Sequence, residues 1–78
     1  MIQANNPVIT ARKALGMGRG ELALKLGTTY NRLAALEHGY MAAIPLDFRP
    51  HMIALGVNFE ELAAAYPAWK LAQAAAST

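Results

Sequence analysis

Cysteine is absent from this chain, which removes disulfide scaffolds and every zinc fold built on thiolates. Histidine is scarce: His38 and His51 stand far apart with no carboxylates clustered beside them, which is not a metal-ligand spacing. No apolar run reaches the roughly 18 residues that a membrane span needs. The opening Met-Ile-Gln-Ala-Asn-Asn-Pro lacks the basic start and apolar stretch of a secretory leader. Charge is also sparse, at 15% of residues, but 55% are hydrophobic, so the chain has the apolar groups that a disordered segment lacks. No Ser/His/Asp constellation, phosphate-cradling glycine loop or metal cluster stands out, so neither an enzyme nor a cofactor is expected. The missing thiols suit a reducing cytoplasm.

What remains is 78 residues, enough for one domain over 1–78. Alanine supplies 17 of them, favouring helices that pack closely. A core of this size rarely contributes more than about 3–5 kcal/mol, and nothing staples it, so support from a second copy is expected.

Helix start and stop signals follow one another along the chain. Asn6 is placed to cap a helix with Pro7 at its first position, where the missing N–H costs nothing. Val8, Ile9, Ala11 and Leu15 then face inward, and Gly16 ends the segment. A second helix fits 19–26, with Leu22, Ala23 and Leu26 on one face and Gly27 closing it. Thr29 caps a third, whose apolar stripe is Leu33 and Leu36 and whose stop is Gly39. Only Gly27-Thr28-Thr29 separates these two short helices, which is the sequence mark of a helix-turn-helix over about 19–38.

Residues 40–46 read as an apolar loop. Asp47 is expected to cap a fourth helix running through Leu55, with Pro50 in its first turn. Asn58 and Glu61 resemble a capping box for a fifth helix, from Phe59 to about Ala65. Pro67 is expected to interrupt that helix, leaving a helical tail over about 67–76. With no period-2 strand and no internal repeat, the fold class is all-α: a compact domain of five or six helices. Charge is uneven along it. Residues 1–39 carry Arg12, Lys13, Arg19, Lys25 and Arg32 against Glu21 and Glu37, whereas residues 40–78 are slightly acidic.

Glu21-Leu22-Ala23, the turn at Gly27 and Leu36-Glu37-His38-Gly39 together resemble the helix-turn-helix of the lambda-repressor-like, Cro/C1-type (XRE-type) regulators. The stretch Ala54-Leu55-Gly56-Val57-Asn58-Phe59-Glu60-Glu61-Leu62 is similar to the family's closing Leu-Gly-Val-Ser-x-x-x-Leu pattern. The likeness covers roughly residues 7–65. It implies that the third helix enters the major groove while the second lies across the backbone. Thr29, Tyr30, Asn31 and Arg32 then open the recognition helix, and Ala34, Ala35 and His38 continue its outer face. Asn31 suits a bidentate pair with adenine, and Arg32 one with guanine or a contact with phosphate.

Arg19 stands where the family often has glutamine, to grip phosphate or to buttress the third helix. Arg12 and Glu37 occupy the places of a structural ion pair. This chain departs from the pattern at Gly18 and Gly20, at the apolar Leu24, and in residues 40–44, which hold no Lys or Arg. Tyr40, His38 and Arg49 are the groups left to meet phosphates there.

The plainer alternatives stand beside these roles. The polar residues of the third helix can form an ordinary solvated face, and Met17, Met41 and Met52 are packing groups. His38 fits a surface helix end and His51 a partly buried packing position. Glu60 and Glu61 favour a helix N-terminus. Tyr66, Trp69 and Leu71 either fold back into the core or build a two-fold interface, where Tyr and Trp are common anchors.

The expected function is a bacterial or phage transcriptional regulator, cytoplasmic and nucleoid-associated when bound, a homodimer on a pseudo-palindromic double-stranded DNA operator. Repression by occupancy is the expected mode, since so short a chain leaves little room for a sensing or activation domain. The alternative is a protein-binding module of the same fold, an antitoxin or anti-activator acting through a partner protein.

Overall fold

Asn6 begins the first helix, α1 (Pro7–Ala14), in a computed structural model that describes residues 6–76. The reading of the first five residues as no secretory leader lies outside the described residues. Four helices follow: α2 (Arg19–Lys25), α3 (Tyr30–Glu37), α4 (Arg49–Ala54) and α5 (Phe59–Ala76), with a single 3-10 turn, Leu46–Phe48, just before α4. The described residues contain no strand, and none of their helices is long and apolar enough to cross a membrane.

Local chemistry sets the helix ends. The Asn6 Oδ1 accepts from the Val8 N–H at 2.8 Å, the Thr29 Oγ1 from Arg32 at 3.1 Å and the Asn58 Oδ1 from Glu61 at 3.1 Å. Each satisfies one of the N–H groups that a helix start leaves without a partner. The stops are equally local. At the end of α2 the Gly27 N–H donates to the Leu24 carbonyl at 3.1 Å and the Thr28 N–H reaches back to Ala23 at 2.9 Å. That double closure needs a left-handed residue, and Gly27 supplies it with φ of 67°.

Packing follows from the apolar faces so defined. Val8 of α1, Leu22 and Leu26 of α2, Leu33 and Leu36 of α3, Phe48, Met52 of α4, and Phe59, Leu62 and Tyr66 of α5 form one buried cluster. Met17 and Met41 pack against its edge. Asn6, itself buried, also ties α1 to the end of α3: its Nδ2 donates to the Glu37 carbonyl at 2.8 Å and to Leu36 at 3.3 Å.

Four expectations change here. Pro67 does not break the chain into two helices; α5 runs continuously through it for 18 residues. An interior proline costs about 3 kcal/mol, and tertiary fasteners on both sides hold the helix together. Before it, the Tyr66 hydroxyl donates to the Leu36 carbonyl at 2.9 Å and to Met41 at 3.1 Å. After it, the Trp69 ring covers Gly39, and the Lys70 Nζ donates to the Met41 carbonyl at 2.8 Å.

Tyr66 is the second correction. It is the largest fully buried side chain, at 0% exposure, because it continues the Phe59–Leu62 face inward, and a partner copy cannot reach it. Asp47 is the third: it lies inside the 3-10 turn instead of capping α4, and its carboxylate is turned to α3. His51 is exposed, with its imidazole alongside Gly27 in the turn between α2 and α3.

Gly39 carries a testable consequence of this packing. Its φ is 80°, and a Cβ built on it would lie 3.0 Å from the Trp69 Cη2. Gly39→Ala therefore adds left-handed strain to a crowded contact. The expected loss is about 1–3 kcal/mol, read as a fall in thermal midpoint of roughly 10 °C. An unchanged melting curve would show that the α3–α5 contact is loose.

Candidate nucleic-acid interface

The α2–turn–α3 unit is built by five small or branched apolar side chains. Leu22, Ala23, Leu26, Leu33 and Leu36 are all buried, so the two helices pack against each other and the core with fixed faces. With Leu33 and Leu36 inward, Asn31, Arg32 and His38 are exposed and Ala34 and Ala35 lie at the half-buried margin. Tyr30 and Thr29 open the helix, Thr29 using its hydroxyl as the cap. Tyr40 follows the helix end, 80% exposed, its ring edge-on to His38 at 5.7 Å between centroids. The nine residues read as a DNA-facing set thus run in chain order from the front of α2 through α3 to the loop after it. They do not all have the same freedom.

Arg19 and Glu37 show the difference first. The Glu37 carboxylate is completely buried and accepts from the Arg12 Nε at 2.7 Å and from the Arg19 Nε at 2.9 Å. Arg12 adds a 3.4 Å contact from Nη2 and donates from Nη1 to the Met17 carbonyl at 3.1 Å. One carboxylate thus joins the front of α2, the end of α3 and the C-terminal part of α1. The bond to Glu37 holds the Arg19 guanidinium above its ordinary pKa, against the opposing effect of burial. Of the two roles weighed for Arg19, the buttress fits: its Nη1 lies 3.4 Å from the Tyr30 hydroxyl and its guanidinium 5.4 Å from that ring's centre. Arg19 thereby fixes the side chain that opens α3.

Arg32 is also engaged. Its Nη1 and Nη2 donate to Oδ2 and Oδ1 of Asp47 at 3.1 and 3.2 Å, and its guanidinium sits 5.2 Å from the centre of the Phe48 ring. Asp47 is the residue the sequence reading missed at this face. It lies fifteen positions from Arg32, beyond any helical spacing, so no local pattern joins them. Lys70 and Asn6 were missed for the same reason. Both reach backbone carbonyls at the end of α3 or in the loop after it, from elements more than two dozen residues away.

The surface that results has an outward amide at Asn31, a restrained cation at Arg32 and an edge-on His38–Tyr40 pair. Leu24 of α2, Tyr40 after α3 and Leu46 in the 3-10 turn are apolar groups in the open, 79%, 80% and 77% exposed. At the far end, Trp69 is partly covered and Leu71 is exposed, so of the three tail residues read as an interface Leu71 is the one most open to a partner. The chain matches no protein-family model, no curated protein and no solved structure.

Proposed function

We propose that this protein is a sequence-specific regulator of transcription that binds double-stranded DNA through α3, in the manner of the lambda-repressor-like, Cro-type domains it resembles. The observation that carries the reading is the α2–turn–α3 unit: a glycine-closed turn, a buried leucine seam, an opposite face bearing Asn31 and His38, and Arg32 exposed at its flank. A helix so mounted presents its first two turns to a groove, and an amide there pairs with two atoms of an adenine edge.

The helix-turn-helix half, residues 1–39, carries the chain's excess of basic residues, which is in keeping with an anionic partner. Because one such helix reads few base pairs, two copies related by a two-fold axis would span half-sites about 34–36 Å apart. The exposed end of α5 around Leu71 is the surface proposed for that pairing. Repression by occupying the operator is the proposed mode.

Selection of duplexes from a random-sequence pool, followed by titration of the preferred sequence, tests the reading. Asn31→Ala is expected to weaken binding to the selected duplex by about tenfold or more, since a bidentate base contact is worth roughly 1–3 kcal/mol of discrimination. Its affinity for unselected duplex should hardly change. A pool that yields no preference, or variants at Asn31 and Arg32 that keep both affinity and preference, would overturn it.

A protein-binding role, as in an antitoxin or anti-activator, is the second reading. The open Leu24, Tyr40 and Leu46 side chains favour it, because exposed apolar groups of that size gain from burial against a partner.

A further inference from the structure

Arg32 stands in the first turn of α3 with its outward fork already filled. Nη1 and Nη2 meet the two carboxylate oxygens of Asp47 one-to-one, at 3.1 and 3.2 Å. The same pair of nitrogens chelates O6 and N7 of guanine, or two oxygens of a phosphate. Carboxylate and nucleic acid therefore want the same N–H groups in the same plane, and one excludes the other.

The seat is built from the fold. Phe48, the next residue in the 3-10 turn, is fully buried and lies under the guanidinium at 5.2 Å. Holding Phe48 in the core holds Asp47 beside α3. The two charged side chains nevertheless remain 42% and 59% exposed, so an arriving ligand can reach both.

We propose that Asp47 is an intramolecular competitor for the Arg32 fork, a stand-in acceptor that a duplex must displace before Arg32 can contact it. The inference rests on the DNA-binding reading of α3 and adds a control to it. Arg32 does not attach to passing anions at no cost; it is released only where an aligned pair of acceptors replaces the carboxylate.

Acidity in the neutral range does not operate this device. The hydrogen bond from Arg32 holds the Asp47 carboxyl below its ordinary 3.8, with Arg32 and His51 charge acting in the same direction. The competitor thus stays ionised near neutral pH, and another anion has to remove it.

A four-protein cycle tests the proposal: the unmodified chain, Asp47→Asn, Arg32→Ala and the double variant. Each is titrated at fixed salt against the duplex that the unmodified chain selects from a random pool. Asp47→Asn is expected to tighten binding about fivefold when Arg32 is present, the scale of one exposed ion pair. In the Arg32→Ala background the same change should alter affinity by less than about 1.5-fold, as for a residue whose partner is gone.

An equal gain in both backgrounds would make Asp47 a simple repelling charge and overturn the proposal. So would weaker binding by Asp47→Asn, which would make the carboxylate a support for Arg32. If no duplex is selected and none of the four proteins binds DNA in a salt-dependent way, the DNA reading itself fails and takes the proposal with it. Thermal melts of the four confirm that each is folded.

Discussion

Replacing Glu37 with alanine is expected to lower stability by about 3 kcal/mol, a large share of the roughly 4–12 kcal/mol usual for a domain of this length. The reason is the stoichiometry of the site. One fully buried carboxylate answers two guanidinium groups, those of Arg12 and Arg19, whose side chains are only 14% and 24% exposed. Removing the acid leaves two cations close together with no counter-charge, and neither can turn fully into water without giving up its place between helices. The thermal midpoint should fall by roughly 15 °C, measured by circular dichroism at neutral pH.

Arg12→Ala and Arg19→Ala should each cost less, because Glu37 then keeps one partner. A Glu37→Ala melt within about 3 °C of the unmodified chain would show that apolar packing alone holds the three helices, as happens where a buried ion network is close to neutral in free energy. Arg19 also steadies Tyr30, so the same variant should loosen the front of α3.

Tyr66→Ala carries an effect of similar or greater size, about 4 kcal/mol, since the ring is wholly enclosed and truncation opens a cavity. The loss should be the same at low and high protein concentration, because everything Tyr66 touches belongs to its own chain. Leu71→Ala should leave the monomer's stability nearly unchanged; if α5 pairs two copies, it shifts the association instead. A Tyr66→Ala loss that changes with protein concentration, measured against the unmodified chain at the same concentration, would return that residue to an interface.

Tyr66→Phe separates ring from hydroxyl. Leu36 keeps its bond from Asn6 and Met41 keeps its bond from Lys70, so neither carbonyl is stranded and the cost should be about 1 kcal/mol. Burial pushes the Tyr66 phenol above its ordinary 10.0, with the bond to Met41 opposing. A raised folded-state value means that the native state keeps its proton longer than the unfolded chain does. The stabilisation is thus complete below pH 10 and declines as pH rises through the folded value. Tyr66→Phe should remove that contribution to alkaline unfolding, and an identical alkaline limb in both proteins would contradict it.

Much of this architecture is legible without coordinates. Asn6, Thr29 and Asn58 announce helix starts, and the glycines at 16, 27, 39 and 56 announce stops, all with positive φ in the structure. Such signals act within a span of about one helical turn, so the chain displays donor and acceptor side by side. The outward face of α3 is legible for the same reason: once Leu33 and Leu36 point inward, helical geometry leaves Asn31 and His38 on the other side, with Ala34 and Ala35 beside them and Tyr30 and Arg32 at the flanks. Pro67 misleads for a complementary reason. Its local preference against helix is real, and it is overridden by Tyr66, Trp69 and Lys70, whose anchors lie about thirty residues earlier.

The chain with no cysteine and little charge thus determined by itself that it forms helices, where the first four stop, and which face of α3 is turned outward. Tertiary structure alone decided how its few charges are spent. Arg19 joins Arg12 on Glu37, Arg32 is held by Asp47, Tyr66 belongs to the core, and α5 is one helix. The dividing line is distance along the chain. Caps and amphipathic faces depend on neighbours a turn away, whereas every one of those pairings closes a loop of 15 to 30 residues and exists only after the helices have packed.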